Sequence, residues 1–292
     1  MSRIAYVNGR YVPFAKAAVS IDDRALTFGD GVYEVCEISG GALIEETRHL
    51  ARLRRSLASL RIPWPICEKA LRFVMREVAR LNRVRDGLLY LQVSRGAARR
   101  DHAFPPDGTR PGLVVAARAI DPAANAARAA GGVAVITAPE QRWARPDIKT
   151  LQLLPNVLAK QAAREAGAFE AWFVDRDGFV TEGASTNAWI VTADGALVTR
   201  QADQAILHGV TRAALIDIAH RLGCRLEERP FTPLEAERAR EAFVSSATTI
   251  ATPVVSIDGR TIGDGLPGTV VPALRRAFFA HAERSRRLAL TT

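Results

Sequence analysis

The run DIKTLQLL (residues 147–154) sets Lys149 ahead of an apolar stretch, in a chain that otherwise does its basic work with arginine. Of 40 basic residues only four are lysines: Lys16, Lys69, Lys149 and Lys160. An amine can do what a guanidinium cannot: lose its proton and condense with a carbonyl to form a Schiff base. A lone loop lysine is ordinarily a solvated one. Here its rarity, the apolar residues after it and the polar run VTEGASTN one hairpin further on argue for chemistry.

An aldehyde cofactor such as pyridoxal 5′-phosphate needs such an amine, and an acid that keeps its pyridine nitrogen protonated so that the ring draws electrons. Glu182, among the small residues of TEGAS, is the candidate acid, with Ser185, Thr186 and Asn187 to orient it. Taken alone it reads equally as a turn residue. A phosphate is held by backbone N–H groups at a helix start and by a guanidinium. HGVTRAAL offers a Gly-led helix start with the amides of Val210 and Thr211 and the Thr211 hydroxyl, against the plainer reading of a Thr cap. SSATT, which contains Ala247 and Thr248, offers a second set of amides. Arg52 in RHLARL is one guanidinium among many neighbours. Arg100 and His102 in ARRDHAFP read as a grip for a carboxylate or as a solvated basic loop. Tyr33 follows two glycines in FGDGVYEV, which either lets backbone approach its hydroxyl closely or places it in hairpin packing.

These residues need elements to carry them. RIAYVNGRYV predicts a hairpin turning at Asn8-Gly9. Leu50, Leu53, Leu57 and Leu60 fall at helical spacing, as do Leu71, Val74, Met75, Val78 and Leu81. GLLYLQVSRG and GLVVAARAI read as strands joined by a basic loop rich in Pro and Gly. The Ala-rich DPAANAARAAGG reads as a linker over 121–130. GVAVITAP predicts a strand, followed by the Lys149 loop and a helix from about Leu154 to Ala166 closed by Gly167. EAWFVDRDGFVTEG and TNAWIVTADGALVT predict hairpins with Asp-Gly turns. GVTRAALIDIAHRLG predicts an amphipathic helix, EAFVSSATTIATPVVSIDGRTI strand, turn and hairpin, and a last helix runs from about Thr269 to Arg287. The pattern predicts an α+β class in two domains, 1–120 and 131–292, without an internal repeat or a phosphate loop.

The net charge of +9 raises nucleic-acid binding as an alternative of a different class. The arginines, however, are spread along the chain without an aromatic-studded basic stripe, and no zinc or helix-turn-helix signature accompanies them. No apolar run approaches the ~18 residues of a membrane span, and the first residues lack the apolar core of a secretory signal. Cys36, Cys67 and Cys224 are odd in number and far apart, which predicts reduced, buried thiols in a cytoplasmic protein and no metal site.

FGDGVYE, HLARL, SRG…RDHAFP, DIKTLQLLPNVLAKQ, VTEGASTN, ILHGVTR and FVSSATTIATPV, in this order, resemble the fold type IV pyridoxal-phosphate enzymes. Within them the chain is most similar to the D-amino acid aminotransferases. The resemblance spans nearly the whole chain. It implies a smaller N-terminal α/β domain and a larger C-terminal mixed, barrel-like β domain with helices. Lys149 resembles the Schiff-base lysine and proton shuttle, and Glu182 the partner of the pyridine nitrogen. Arg52, Val210 and Thr211 match the phosphate cradle, beside Ala247 and Thr248, and Leu207 matches the side chain packed on the ring. Ser185 and Thr186 would stand behind the groups that touch the cofactor.

Tyr33, Arg100 and His102 resemble a trap for the substrate α-carboxylate, with the Arg and His loop reaching in from the second subunit of a homodimer. Val35 would face the substrate side chain. The chain departs from the family pattern at Ala247, where relatives usually place a Thr whose hydroxyl meets the phosphate, and at Ile250, where they often carry Glu. The implied reaction is ping-pong transamination between a D-amino acid, of the D-alanine or D-glutamate type, and a 2-oxo acid. L-branched-chain aminotransferase, aminodeoxychorismate lyase and (R)-amine transaminase are the alternatives within the fold. The pair Arg100 and His102 favours the D branch, because a carboxylate trap there fixes which face of the α-carbon is presented.

Overall fold

Residues 3–286 are described by a computed structural model, and they divide into two units. The first takes the chain up to Pro122, the short segment Ile148–Gln152 and the residues from Glu283; the second takes Ala123–Asp147 and Leu153–Ala282.

In the first unit the strands are β1 (Ile4–Val7), β2 (Arg10–Pro13), β3 (Gly31–Ser39), β4 (Ala42–Leu43), β5 (Gly87–Ser94) and β6 (Gly112–Ala119). Its helices are α1 (Arg24–Phe28), α2 (Glu46–Ser59) and α3 (Glu68–Leu81). The strands form one antiparallel sheet in the order β2-β1-β6-β5-β3-β4. Asn8 and Gly9 both take positive φ (46° and 96°), the geometry that lets a two-residue turn follow the strand twist. Along β3 the side chains alternate: Val32, Cys36 and Ile38 enter the core with Leu50, Leu53 and Leu57 of α2 and Leu71, Met75 and Val78 of α3. Tyr33 and Val35 take the opposite face. Each buried aliphatic side chain contributes about 1.5–3 kcal/mol, so this alternation decides the register.

The segment Ile148–Gln152 joins this unit through Ile148, which is buried in the same core. Its backbone bonds to the start of β3: Tyr33 N donates to the Lys149 carbonyl at 3.0 Å and Leu151 N to that of Gly31 at 3.1 Å. A Cβ on Gly31 would lie 2.6 Å from the Val93 carbonyl and 2.7 Å from Leu151 Cδ1, so this approach requires glycine.

The second unit holds α4 (Pro122–Gly131) from its second residue on, then β7 (Val133–Pro139), α5 (Leu154–Glu165), β8 (Glu170–Val174) and β9 (Val180–Gly183). There follow β10 (Asn187–Val191), β11 (Leu197–Thr199), α6 (Val210–Arg221), β12 (Leu226–Glu228) and α7 (Pro233–Glu237). It ends with β13 (Glu241–Ser246), β14 (Ile250–Ile257), β15 (Arg260–Thr261) and α8 (Val270–His281). Nine strands make a curled mixed sheet, β12-β11-β10-β13-β14-β7-β8-β9 with β15 on β14; the parallel pairs are β11 with β12, β14 with β7 and β7 with β8. β9, β10 and β11 are buried at every residue, as strands covered on both faces must be. The α+β class expected from the pattern is the class observed.

Three expectations change. Residues 121–130, read as a linker, fall mostly in α4: Pro at the first helical position and a run of Ala favour helix, and Gly132 (φ 73°) ends it. The lysine-bearing segment, inside the sequence range 131–292, belongs with the first unit. The last helix stops at His281; Arg287, its expected end, lies outside the described residues, as do residues 1–2 and 288–292.

Candidate active site

In the first unit Lys149 is half-buried, with Nζ 4.2 Å from the centre of the Tyr33 ring. An ammonium over an aromatic face is weakly held. Among the described residues no carboxylate forms an ion pair with it. The other lysines are committed elsewhere: Lys16 and Lys69 are exposed, and Lys160 bonds the Phe169 carbonyl and lies 3.2 Å from Glu170. Tyr33 stacks on Tyr90 at 5.9 Å between ring centres, and the Tyr90 hydroxyl donates to Gln92 at 2.8 Å. Burial pushes the Tyr90 phenol up to about 12. Val35, paired with Tyr90 in register, lies on the same face as Tyr33.

Arg52 has a partner that sequence reasoning missed. Glu34 points into the core at 1% exposure and accepts Arg52 Nε at 2.8 Å and Nη2 at 2.7 Å, with His49 Nδ1 at 2.7 Å. Burial alone would raise this carboxyl, but the charge and hydrogen bonds of Arg52 and the His49 bond lower it to about 2. Burial lowers the pKa of His49, so a neutral ring donates its Nδ1 hydrogen to the ionised Glu34. The signal was legible: a Glu at an inward position of β3, and a His and an Arg three apart on the apolar stripe of α2. Arg100 and His102 are exposed on the loop after β5 and meet on Phe28, whose ring centre is 5.2 Å from the Arg100 guanidinium carbon and 5.3 Å from the His102 ring.

In the second unit Glu182 on β9 is 3% exposed and hydrogen-bonded at both oxygens, with acceptor capacity left on the carboxylate. Oε1 accepts Leu207 N at 2.9 Å and Arg142 Nη1, and Oε2 accepts Asn187 Nδ2 at 2.8 Å. Burial raises its carboxyl, against the opposing pull of Arg142. Arg142 also holds Glu140, through Nε at 2.9 Å, and Glu140 accepts the Thr181 hydroxyl at 2.9 Å. Nothing in the sequence separated Arg142 from the other arginines. Leu207 meets Glu182 through its backbone amide.

Ser185 and Thr186 serve a different carboxylate. Glu170, fully buried, accepts Ser185 N at 3.1 Å, Ser185 Oγ at 2.6 Å and Thr186 Oγ1 at 3.2 Å, which fixes the turn that follows Glu182.

The start of α6 is buried at Val210 and Thr211 and is capped by Gly209, and among the described residues no side chain caps it. The alternative of a Thr cap is thereby removed. A Cβ on Gly209 would sit 2.0 Å from Asn187 Oδ1, so only glycine lets the helix begin here. Uncapped amides at the positive end of a helix are donors for an anion. Ala247 and Thr248 lie in the turn between β13 and β14, where Thr248 N and Thr249 N each donate to Ser246 Oγ at 3.2 Å. Ile250 closes that turn at φ 58°, a costly conformation for a β-branched residue.

Residues 31–257 match the family model for amino-transferase class IV, and the chain belongs to that family. It is 41% identical over 270 residues to the D-alanine aminotransferase of Bacillus licheniformis, covering 92% of this chain and 94% of that protein. The D-alanine aminotransferase of Staphylococcus haemolyticus is 36% identical over 278 residues, covering 95% and 97%. Among solved structures, the branched-chain amino acid aminotransferase of Escherichia coli superposes with a TM-score of 0.88 at 26% identity, covering 96% of this chain and 94% of that one. A hypothetical aminotransferase from Mycobacterium tuberculosis, in its PLP-bound form, gives 0.82 at 25%, covering 95% and 98%.

Proposed function

We propose that the chain is a D-amino acid aminotransferase that uses pyridoxal 5′-phosphate. The observation that carries this reading is Lys149: among the described residues it is the one lysine that is neither exposed nor paired with a carboxylate, held over Tyr33 where an amine can react. The donor set fits the cofactor. Lys149 would hold it covalently, Glu182 would take the pyridine nitrogen, and the amides of Val210 and Thr211 would take the phosphate, with Arg52, Ala247, Thr248 and Leu207 as the remaining contacts. Bound there, the cofactor supplies a carbonyl for the substrate amine and a cationic ring that draws electrons from the α-carbon.

Lys149 Nζ would take the α-proton of the substrate and deliver it to the aldehyde-derived carbon of the cofactor within the same half-reaction, and would carry a proton the other way, onto the 2-oxo acid, in the second half of the ping-pong cycle. Glu182 would hold a proton on the pyridine nitrogen, whose positive charge would favour the ionised carboxyl that burial disfavours. Arg142, Asn187 and the Leu207 amide keep its two oxygens aimed. Tyr33, Arg100 and His102 bind the substrate carboxylate, and Val35 meets its side chain. Ser185 and Thr186 brace the turn through Glu170. D-alanine, as in the names of the 41% and 36% identical relatives, is the substrate we assign, with a 2-oxo acid as acceptor.

We read the assembly as a homodimer with its active site at the subunit interface. On α5, Leu154, Val157 and Leu158 are exposed at i, i+3 and i+4, an apolar face that a second copy would cover. No helix among the described residues is long and apolar enough to cross a membrane. Cytoplasmic placement is our reading of three free cysteines, of which Cys36 is buried as expected while Cys224 is half-buried and Cys67 is exposed.

A panel of D- and L-amino acids with pyruvate or 2-oxoglutarate tests the assignment. The expected result is transamination of D-alanine and D-glutamate by the wild type and none by Lys149→Ala. Turnover of L-amino acids alone would replace this reading with the branched-chain one.

A further inference from the structure

The loop that carries Arg100 and His102 spans residues 95–111, between two antiparallel neighbours of the sheet. Residues 99–104 are exposed, and a loop tip of this kind is ordinarily mobile. A clamp on a mobile tip loses affinity, because each binding event must first order it.

The structure ties the base of the loop to residues 22–30 by backbone bonds. Arg95 N donates to the Asp30 carbonyl at 3.1 Å, Arg24 N to the Gly96 carbonyl at 2.9 Å, and Ala98 N to the Asp22 carbonyl at 3.1 Å. These end at Ala98. Further out, one side chain takes over. Arg24 is 4% exposed, and its Nη1 donates to the carbonyl of Asp101, the residue between Arg100 and His102, at 2.6 Å. Its Nε donates to Asp30 Oδ2 at 2.8 Å, and its guanidinium lies 4.6 Å from the centre of the Phe28 ring. That ring is the one on which Arg100 and His102 rest. Asp30 is itself fixed by Arg95, through bonds of 2.7 and 2.9 Å.

We propose that Arg24, oriented by Asp30, is a positioning residue for substrate recognition: by holding the Asp101 carbonyl against Phe28 it presets where Arg100 and His102 point. This rests on the reading of Arg100 and His102 as the carboxylate clamp. The task needs arginine. Its planar fork reaches an acid through Nε and a carbonyl through Nη1 at once, whereas an ammonium held at Asp30 cannot also span to Asp101. Burial raises the Asp30 carboxyl, but the two guanidinium partners outweigh it and lower its pKa, so the orienting charge persists at neutral pH.

The test uses the holoenzyme and the variants Arg24→Gln, Arg24→Lys and Arg100→Ala, with two readouts. One is the rate of trypsin cleavage after Arg99; the other is KM and kcat for D-alanine. A charged hydrogen bond of this kind predicts that Arg24→Gln raises KM on the order of tenfold with kcat changed less than about twofold, and that cleavage accelerates. Arg24→Lys should do the same in smaller measure, and it carries the test alone where Arg24→Gln fails to fold. Arg100→Ala should raise KM while cleavage after Arg99 keeps the wild-type rate. Unchanged KM and cleavage in the Arg24 variants, with KM raised in Arg100→Ala, would overturn the positioning role and leave the clamp standing. Unchanged KM in Arg100→Ala would overturn the clamp, and the positioning role with it.

Discussion

Replacing Arg142 by Gln removes the cation that serves two carboxylates at once. Its side chain is 7% exposed, with Nη1 on Glu182 and Nε and Nη2 on Glu140. Glu182 is buried, so in the variant its charge would stand without an ionic partner. Removing one member of a buried pair costs about 3–5 kcal/mol. For a chain of this size about 2 °C of melting temperature follows each kcal/mol, so calorimetry of the cofactor-free protein should show a fall of roughly 6–10 °C at pH 8.

The loss should depend on pH in a definite direction. Burial already raises the Glu182 carboxyl, and without Arg142 it rises further above its unfolded value. A carboxyl of this kind destabilises the fold fully above its folded pKa and not at all below the unfolded one. The gap between variant and wild type should therefore narrow as pH falls from 8 towards 5. The double variant Arg142→Gln with Glu182→Gln should recover part of the loss, because no buried charge is then left over. A melting temperature within about 1 °C of wild type, or a gap indifferent to pH, would refute the argument.

Glu182→Gln should retain the cofactor while α-proton removal slows by roughly 10²-fold, about 2.7 kcal/mol of barrier; unchanged single-turnover rates would count against the role. Glu34 has its folded pKa lowered from 4.5 to about 2, so it stabilises the fold above pH 4.5, and that stability is lost as pH falls towards 2. The shift corresponds to about 3 kcal/mol. Urea unfolding should show Glu34→Gln less stable than wild type at pH 6 and the two converging near pH 2; parallel curves would show that the ion pair with Arg52 contributes nothing.

Much of the fold was legible because its signals are local. The Asn8-Gly9 turn, the leucine stripe of α2 and the Gly-led start of α6 each lie within a few residues of the chain, and each formed as read. The scarcity of lysine pointed to Lys149, and the motif order pointed to the family. One local reading was incomplete: residues 121–130, read as a linker, are mostly helical, as the helix propensity of their alanines favours.

What the sequence could not decide was partnership between charges. Glu182 meets an arginine 40 residues away, Glu34 one 18 residues away, and Arg24 reaches a carbonyl 77 residues on. In a chain rich in arginine, composition and period treat these side chains alike; the sequence determined which residue types were available and which strands and helices would carry them. Only the tertiary structure selected Arg142 and Arg24 and gave Arg52 its partner Glu34, because it alone brings distant backbone within hydrogen-bond reach and withdraws the pairs from water into an interior where each bond is strong enough to fix a geometry.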